Sequence, residues 1–292
     1  MPAKKTDQRR RANVIAEGKN KLNVALVQMQ SQTSVEDNFQ QAVHFLNEAV
    51  SQHNAQLIVF PENFLCLGVS DFAEIASSLN FYIDKLAALA KQYAVSLLLG
   101  SVPVKASENK CFSRSLLIDA NGLNVGHYDK IHLFDAEVGD SQGSYIESDS
   151  FQPGLVHCVL PLATTKLGLS ICYDLRFPEL FQLLRKNGAE MIAVPSAFTF
   201  KTGQAHWEIL LRARAIETQC YVLAANQCGT HSIEKTGTTR ETWGHSMIVD
   251  PWGNILCTLG EKPGVCSAEL DLNYMRGIRQ SMNVIKHKRL PI

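Results

Sequence analysis

No stretch of about 18 consecutive apolar residues occurs in the chain, so a membrane-spanning helix is not expected. There is no excess of either charge: 28 Lys and Arg balance 28 Asp and Glu. That balance gives no electrostatic footprint for nucleic acid and no acidic tail. No Cys-x-x-Cys pair is present either. Cys66, Cys111, Cys158, Cys172, Cys220, Cys228, Cys257 and Cys266 are scattered, mostly inside apolar runs. That is the usage of buried thiols in a reducing compartment, not of a disulfide framework. Metal-ligand spacing is missing as well: His127 and His132 are near neighbours, but no further Cys or His pair completes a set. Neither a metal nor another cofactor is expected, and the expected location is cytoplasmic.

What is present is a core. Hydrophobic residues make up 46% of 292 residues, enough for one sizeable α/β domain. The first twenty residues, "MPAKKTDQRRRANVIAEGKN", are basic and polar without an apolar centre, which does not fit a secretory signal. A mitochondrial presequence fits poorly, because Asp7 and Glu17 interrupt the positive charge. The expected organisation is a flexible basic tail over 1–20 and a single domain over 21–292.

Within that domain, "LNVALVQM" and "AQLIVF" are apolar runs of strand length. Between them "TSVEDNFQQAVHFLNEAVSQH" carries Phe39, Ala42, Val43, Leu46, Ala49 and Val50 on one helical face. Thr33 and Glu36 have the spacing of a capping box. A second helix is expected over 81–93, then the strand "VSLLLGSVPV". "KCFSRSLLIDANGLNVGHYDK" predicts a hairpin turning at Asn121-Gly122. Residues 135–154 predict a long polar loop, and loops of that length in a compact domain are usually functional. Strands are expected at 155–160 and 165–171, then a helix at "PELFQLLRKN" and the strand "EMIAVPSAF". A helix over 203–219, the strand "YVLAANQ" and the hairpin "SMIVDPWGNILCTL" complete the series. Hairpins interleaved with β-α alternation predict two mixed sheets packed face to face with helices outside. No internal repeat is visible.

Three strand ends carry chemistry-bearing residues: Glu62 in "LIVFPEN", Lys130 in "HYDKIHLF" and Cys172 in "LGLSICYD". Ionisable groups at strand ends are where α/β folds build sites. Each also has a plainer reading: Glu62 as a helix cap, Lys130 paired with Asp129 or Asp135, Cys172 as an ordinary core thiol. Together they suit amide hydrolysis through a cysteine nucleophile.

The segments "VFPEN", "DKIHLF", "ICYDLRFPEL" and "AHWEILLRARAIETQCYVLAANQCG" resemble the nitrilase (carbon–nitrogen hydrolase) superfamily, and the resemblance spans about residues 22 to 285. It implies a four-layer α-β-β-α sandwich, a Glu-Lys-Cys triad at Glu62, Lys130 and Cys172, and a second glutamate at Glu147. It also implies a homodimer or higher homo-oligomer, with "SMNVIKHKRLPI" as an extended segment reaching toward a partner. Residue chemistry gives the roles. A thiol with an ordinary pKa of about 8.5 needs a base. Glu62 takes its proton, Lys130 supplies positive charge, the Tyr173 N–H follows the nucleophile as an oxyanion donor, and Glu147 steadies Lys130 and the attacking water. Arg176 either pairs with Asp174 or Glu179 or holds a substrate carboxylate. Phe198 and Thr199 are expected to touch substrate, whereas Trp207, Arg212, Arg214 and Glu217 are read as packing or bracing residues.

Nitrilases proper carry Trp and Glu after the cysteine; Tyr173 and Asp174 stand here, so the resemblance implies an amidase acting on a small carboxylated amide. Deaminated glutathione is the expected substrate, with α-ketoglutaramate or a carbamoyl amide as alternatives. Two other classes remain: a Cys-His amidohydrolase using His206 or His245, and a non-enzymatic scaffold on the same fold.

Overall fold

A computed structural model describes residues 20–139 and 143–290. The tail expected over 1–20 lies outside the described residues except at Asn20. The Asn20 carbonyl accepts from the Leu272 N–H, and its side-chain oxygen accepts from Arg276.

Strand β1 (Lys21–Gln28) is apolar on both faces because both are covered. Val24 and Leu26 join the layer that contains Leu167 and Leu169, while Ala25 and Val27 pack with the residues of helix α1 (Val35–His53). Such a strand reads as an unbroken apolar run, not as an alternation. The cap of α1 is Ser34, whose side chain accepts the Asp37 N–H at 3.3 Å. The expected Thr33–Glu36 box is therefore one residue out, although Glu36 and Asp37 still sit in the first turn, where negative charge complements the helix dipole. The chain continues through β2 (Leu57–Val59), α2 (Phe72–Ala76), α3 (Leu79–Tyr93), β3 (Ser96–Lys105), β4 (Cys111–Ile118) and β5 (Asn124–Asp129).

The 135–154 segment is less irregular than expected. β6 (Asp135–Glu137) and β7 (Ser144–Ile146) pair antiparallel, and a single 3-10 turn, Glu147–Asp149, follows. Strands of three residues are too short to show alternation. β8 (Cys158–Leu162) starts later than expected, because Leu155 and Val156 lie exposed before it. Next come β9 (Thr165–Leu169), α4 (Pro178–Lys186), β10 (Met191–Ala193), α5 (Phe200–Thr218) and β11 (Tyr221–Ala224). The hairpin β12 (Cys228–Ile233) and β13 (Thr238–Trp243), not foreseen from its polar sequence, precedes β14 (Met247–Val249) and β15 (Ile255–Thr258). β16 (Gly264–Asp271), α6 (Leu272–Ser281) and α7 (Val284–His287) end the described chain. "SMNVIKHKRLPI" is thus partly helical instead of extended, because the Asn283 side chain caps α7 at the Lys286 N–H.

One sheet runs β16-β1-β2-β3-β4-β5 and the other β15-β14-β11-β10-β9-β8. In each, three central parallel strands (β1-β2-β3 and β9-β10-β11) are flanked by antiparallel neighbours. The two sheets pack face to face, with α1 and α3 outside the first and α4 and α5 outside the second. This is the α-β-β-α sandwich of mixed sheets. The parallel strands all deliver their carboxyl ends to one edge of the sandwich, and the site forms there.

Candidate active site

Glu62 follows β2 after Phe60 and Pro61. Its position depends on Gly100 in β3, where a Cβ would stand 2.1 Å from the Phe60 carbonyl oxygen and 2.2 Å from that of Pro61. The β3–β4 register also shifts between Leu99 and Val102. This irregularity lies beside Ser101, whose hydroxyl accepts the Asn63 N–H at 3.0 Å; such bulges commonly re-aim residues next to sites. Lys130 leaves the end of β5, held by its N–H on the Ser113 carbonyl and by Gly154 N–H on its own carbonyl. Gly154 is required there, because a Cβ would meet the Asp129 oxygen at 2.2 Å. Glu147 arrives on the 3-10 turn after β7.

These three side chains converge. The Lys130 ammonium donates to Glu62 Oε1 at 2.7 Å and to both Glu147 oxygens at 2.9 Å. Glu62 Oε2 accepts the Ala197 N–H at 2.8 Å, and Glu147 Oε2 accepts the Phe134 N–H at 2.6 Å. Lys130 is only 2% exposed, so its charge is balanced internally. The surface pairing with Asp129 or Asp135 is not made; Asp129 is bound bidentately by Arg114.

Cys172 closes the group. Its N–H donates to the Pro195 carbonyl, and its φ of +47° is left-handed, a strained conformation for a residue with a Cβ. The turn is braced by Asp174, fully buried. Asp174 accepts from the Ile171 N–H, the Tyr128 hydroxyl and the His132 N–H, and its Oδ1 lies 2.7 Å from the His132 ring nitrogen. Beyond the strained residue, the Tyr173 N–H has no hydrogen-bond acceptor among the described residues, as an oxyanion donor requires.

Charge explains the resting state. Burial, then the Glu62 carboxylate, pushes the Cys172 thiol well above the ordinary cysteine range; Lys130 and the nearby Ala197 N–H pull the other way. Burial disfavours the Lys130 charge, but Glu147 and Glu62 outweigh it and hold the ammonium above the usual lysine range. Burial raises the Glu147 carboxyl, Lys130 opposes the rise and Glu62 adds to it. A raised thiol pKa favours the protonated sulfur, so the nucleophile needs a base to take its proton.

Two cavities meet at Cys172, and Phe134 lines both. The larger, about 340 Å³, is also lined by Glu62, Lys130, Glu147 and Arg240. The narrower cleft is lined by Tyr173, Arg176, Phe198 and Thr199. All the site residues expected from the sequence thus lie on these two walls. Arg176 does not brace the turn through Asp174 or Glu179, because Asp174 is already fully engaged. Its guanidinium instead donates to His206 Nδ1 at 3.2 Å and lies 5.3 Å from the Phe198 ring centroid, with no carboxylate partner among the described residues. Trp207 is core: it is fully buried, with its indole N–H on the His245 carbonyl. It sits mid-helix, because α5 begins at Phe200 and not at 203. Arg214 braces the Leu175 carbonyl and Glu217. His206 is held by Arg176 and the His245 ring by the Trp243 carbonyl, so both histidines considered as partners for the sulfur are engaged elsewhere. The Ala197 N–H was beyond sequence reasoning, since a backbone group leaves no mark in residue type. Arg240 was hidden in a polar hairpin that resembles a solvated face.

The carbon-nitrogen hydrolase family profile matches residues 23–280. The deaminated glutathione amidase of Yersinia enterocolitica is 42% identical over 277 residues, covering 91% of this chain and 93% of that protein. Among solved structures, the Caenorhabditis elegans NitFhit protein superposes with a TM-score of 0.85 at 37% identity, covering 92% of this chain and 65% of that one. Saccharomyces cerevisiae Nit3, a member of branch 10 of the nitrilase superfamily, gives 0.80 at 30% identity, covering 93% and 97%.

Proposed function

This chain belongs to the carbon–nitrogen hydrolase family and is an amidase, and we propose that it hydrolyses the amide of deaminated glutathione through a thioester on Cys172. The observation that carries the chemistry is the Lys130 ammonium held between Glu62 and Glu147 in the cavity that Cys172 lines. The substrate choice is supported by near full-length similarity to a protein of that name.

In the proposed sequence the sulfur attacks the amide carbon as Glu62 takes the thiol proton. The oxygen's developing charge meets the Tyr173 N–H and the field of Lys130. The intermediate collapses, the C–N bond breaks, and Glu62 returns the proton to the departing amine. Water then enters. Its oxygen bonds to the thioester carbon as a carboxylate takes one proton, the C–S bond breaks, the carboxylic acid leaves, and the carboxylate returns that proton to the sulfur. Acid–base work of this kind typically contributes about 10²–10⁴-fold, and one oxyanion donor roughly 10²–10³-fold. Arg176, held against Phe198 and lacking a carboxylate partner, suits the carboxylate of the acyl half. A homodimer belongs to this proposal, supported by the exposed apolar Ile209, Ile216 and Trp252 on α5 and the nearby turn. A cytoplasmic location belongs to it as well, supported by eight free cysteines.

The test is kcat/KM on deaminated glutathione and on α-ketoglutaramate. A clear preference for the first is expected. A strong preference for the second overturns the substrate while leaving the thioester chemistry in place.

A further inference from the structure

The reaction above leaves one guanidinium in the larger cavity without a role. Arg240 stands on β13 opposite His231. Its Nη2 donates to the Ala197 carbonyl, on the same residue whose N–H holds Glu62. It lies 5.1 Å from the Tyr145 ring centroid and shares a cavity wall with Glu62, Lys130, Glu147 and Cys172. Its Nε is buried without a hydrogen-bond partner, and no carboxylate pairs with it among the described residues. Buried polar groups left unpaired are rare and costly, and the rest of this guanidinium lines the cavity. A planar fork of donors fits a carboxylate best.

Proton bookkeeping says which half of a substrate reaches it. Glu62 must protonate the departing nitrogen, so the nitrogen faces the cavity that Glu62, Lys130 and Glu147 line. The acyl half stays on sulfur, on the side of Tyr173, Arg176, Phe198 and Thr199, where the cleft is narrow. The amine half therefore extends into the space of about 340 Å³ that Arg240 overlooks.

We infer, resting on the thioester reading above, that Arg240 is a specificity-determining residue that binds a carboxylate carried by the amine half of the amide. Deaminated glutathione releases cysteinylglycine, an amine with such a carboxylate. Ammonia, released from α-ketoglutaramate, brings nothing to Arg240. The two guanidiniums thus read the two halves of one substrate, Arg176 the acyl side and Arg240 the amine side.

The experiment compares two α-ketoglutaryl amides of cysteinylglycine, one with the terminal carboxylate free and one with it converted to the carboxamide, alongside α-ketoglutaramate. Each is assayed with the wild type, Arg240→Gln and Arg240→Lys, and thermal unfolding reports on folding. The wild type is expected to prefer the free carboxylate by about 10–100-fold, the scale of one charge-assisted hydrogen-bonded pair. Arg240→Gln brings that ratio to within about twofold, mainly through KM, and loses about tenfold or more beyond any loss on α-ketoglutaramate. Arg240→Lys falls between. A ratio that survives in Arg240→Gln, or equal losses on all three substrates, overturns the inference. Should Arg240→Gln not fold, a wild-type ratio near one overturns it, and a high ratio that Arg240→Lys lowers supports it. A wild type that cleaves α-ketoglutaramate but neither dipeptide amide refutes the substrate reading itself, and this inference with it.

Discussion

Replacing Lys130 by methionine removes the positive charge from between two buried carboxylates, 2.7 Å from one and 2.9 Å from the other. Taking one partner from a buried ion pair typically costs about 3–5 kcal/mol, because the remaining charge is uncompensated. The cost should depend on pH, with a sign set by Glu147. Burial, with Glu62 adding to it, already raises that carboxyl above 4.5, and Lys130 is what opposes the rise. Without the ammonium its pKa climbs further, and the folded variant holds a proton that the unfolded chain has released. Its stability is therefore fullest in acid and falls as pH rises through the window above 4.5, by about 1.4 kcal/mol for each pH unit of that window. Urea unfolding of the wild type, Lys130→Met and Lys130→Met/Glu147→Gln at pH 5 and pH 8 measures it. The variant should lie about 3–5 kcal/mol below the wild type at pH 8 and recover about 2 kcal/mol or more of that gap at pH 5. The added Glu147→Gln should restore much of the stability at pH 8. A gap equal at both pH values, or one that Glu147→Gln leaves untouched, refutes the assignment of the cost to an uncompensated carboxylate.

Three further outcomes are expected. Glu62→Gln keeps a hydrogen-bonding side chain at the Ala197 N–H but cannot take the thiol proton. Turnover should fall by about 10²–10⁴-fold in a variant that stays folded; near wild-type turnover removes Glu62 from the base role. Gly100→Ala puts a methyl against two carbonyl oxygens at 2.1 and 2.2 Å. It should cost about 1–3 kcal/mol in stability and lower kcat by displacing Glu62, so crystals with Glu62 undisturbed would count against this. His231 is fully buried, with its ring Nδ1 on the Ser31 carbonyl and Nε2 on the Thr242 hydroxyl, and burial takes its pKa from 6.5 to about 4. The unfolded chain binds that proton first, so stability present above pH 6.5 is lost toward pH 4, by ~3 kcal/mol at most. Urea midpoints of wild type and His231→Asn across this range should converge in acid; parallel curves would refute it.

The parts of the site visible in the sequence are those where residue type breaks a local pattern. Glu62 and Cys172 each interrupt an apolar strand at its end, and Lys130 follows the mixed strand β5; those positions are legible without knowledge of the fold. Glu147 is legible only through the family resemblance, and its surroundings read as loop because β6 and β7 are three residues each, too short for period-two patterning to register. The β12–β13 hairpin was illegible for another reason. Of Thr238 to Trp243 only Trp243 is apolar, and Thr238, Thr239 and Glu241 are exposed, so hydrophobicity carries little signal.

Residue type and spacing by themselves determined the layer order of the sandwich, through runs apolar on both faces, and the chemistry on offer at three strand ends. Tertiary structure alone decided which charges meet. Lys130 sits 68 residues from Glu62 and 17 from Glu147 in sequence, and it chose them over adjacent Asp129 because strand register, not proximity along the chain, sets where a long side chain ends. The same register gave Asp174 to Tyr128, Ile171 and His132, which left Arg176 without its nearest acid. It also brought Arg240 to the Ala197 carbonyl, 43 residues away. Contacts of that range depend on how sheets stack and strands pair, and a residue's identity holds no record of its partner there.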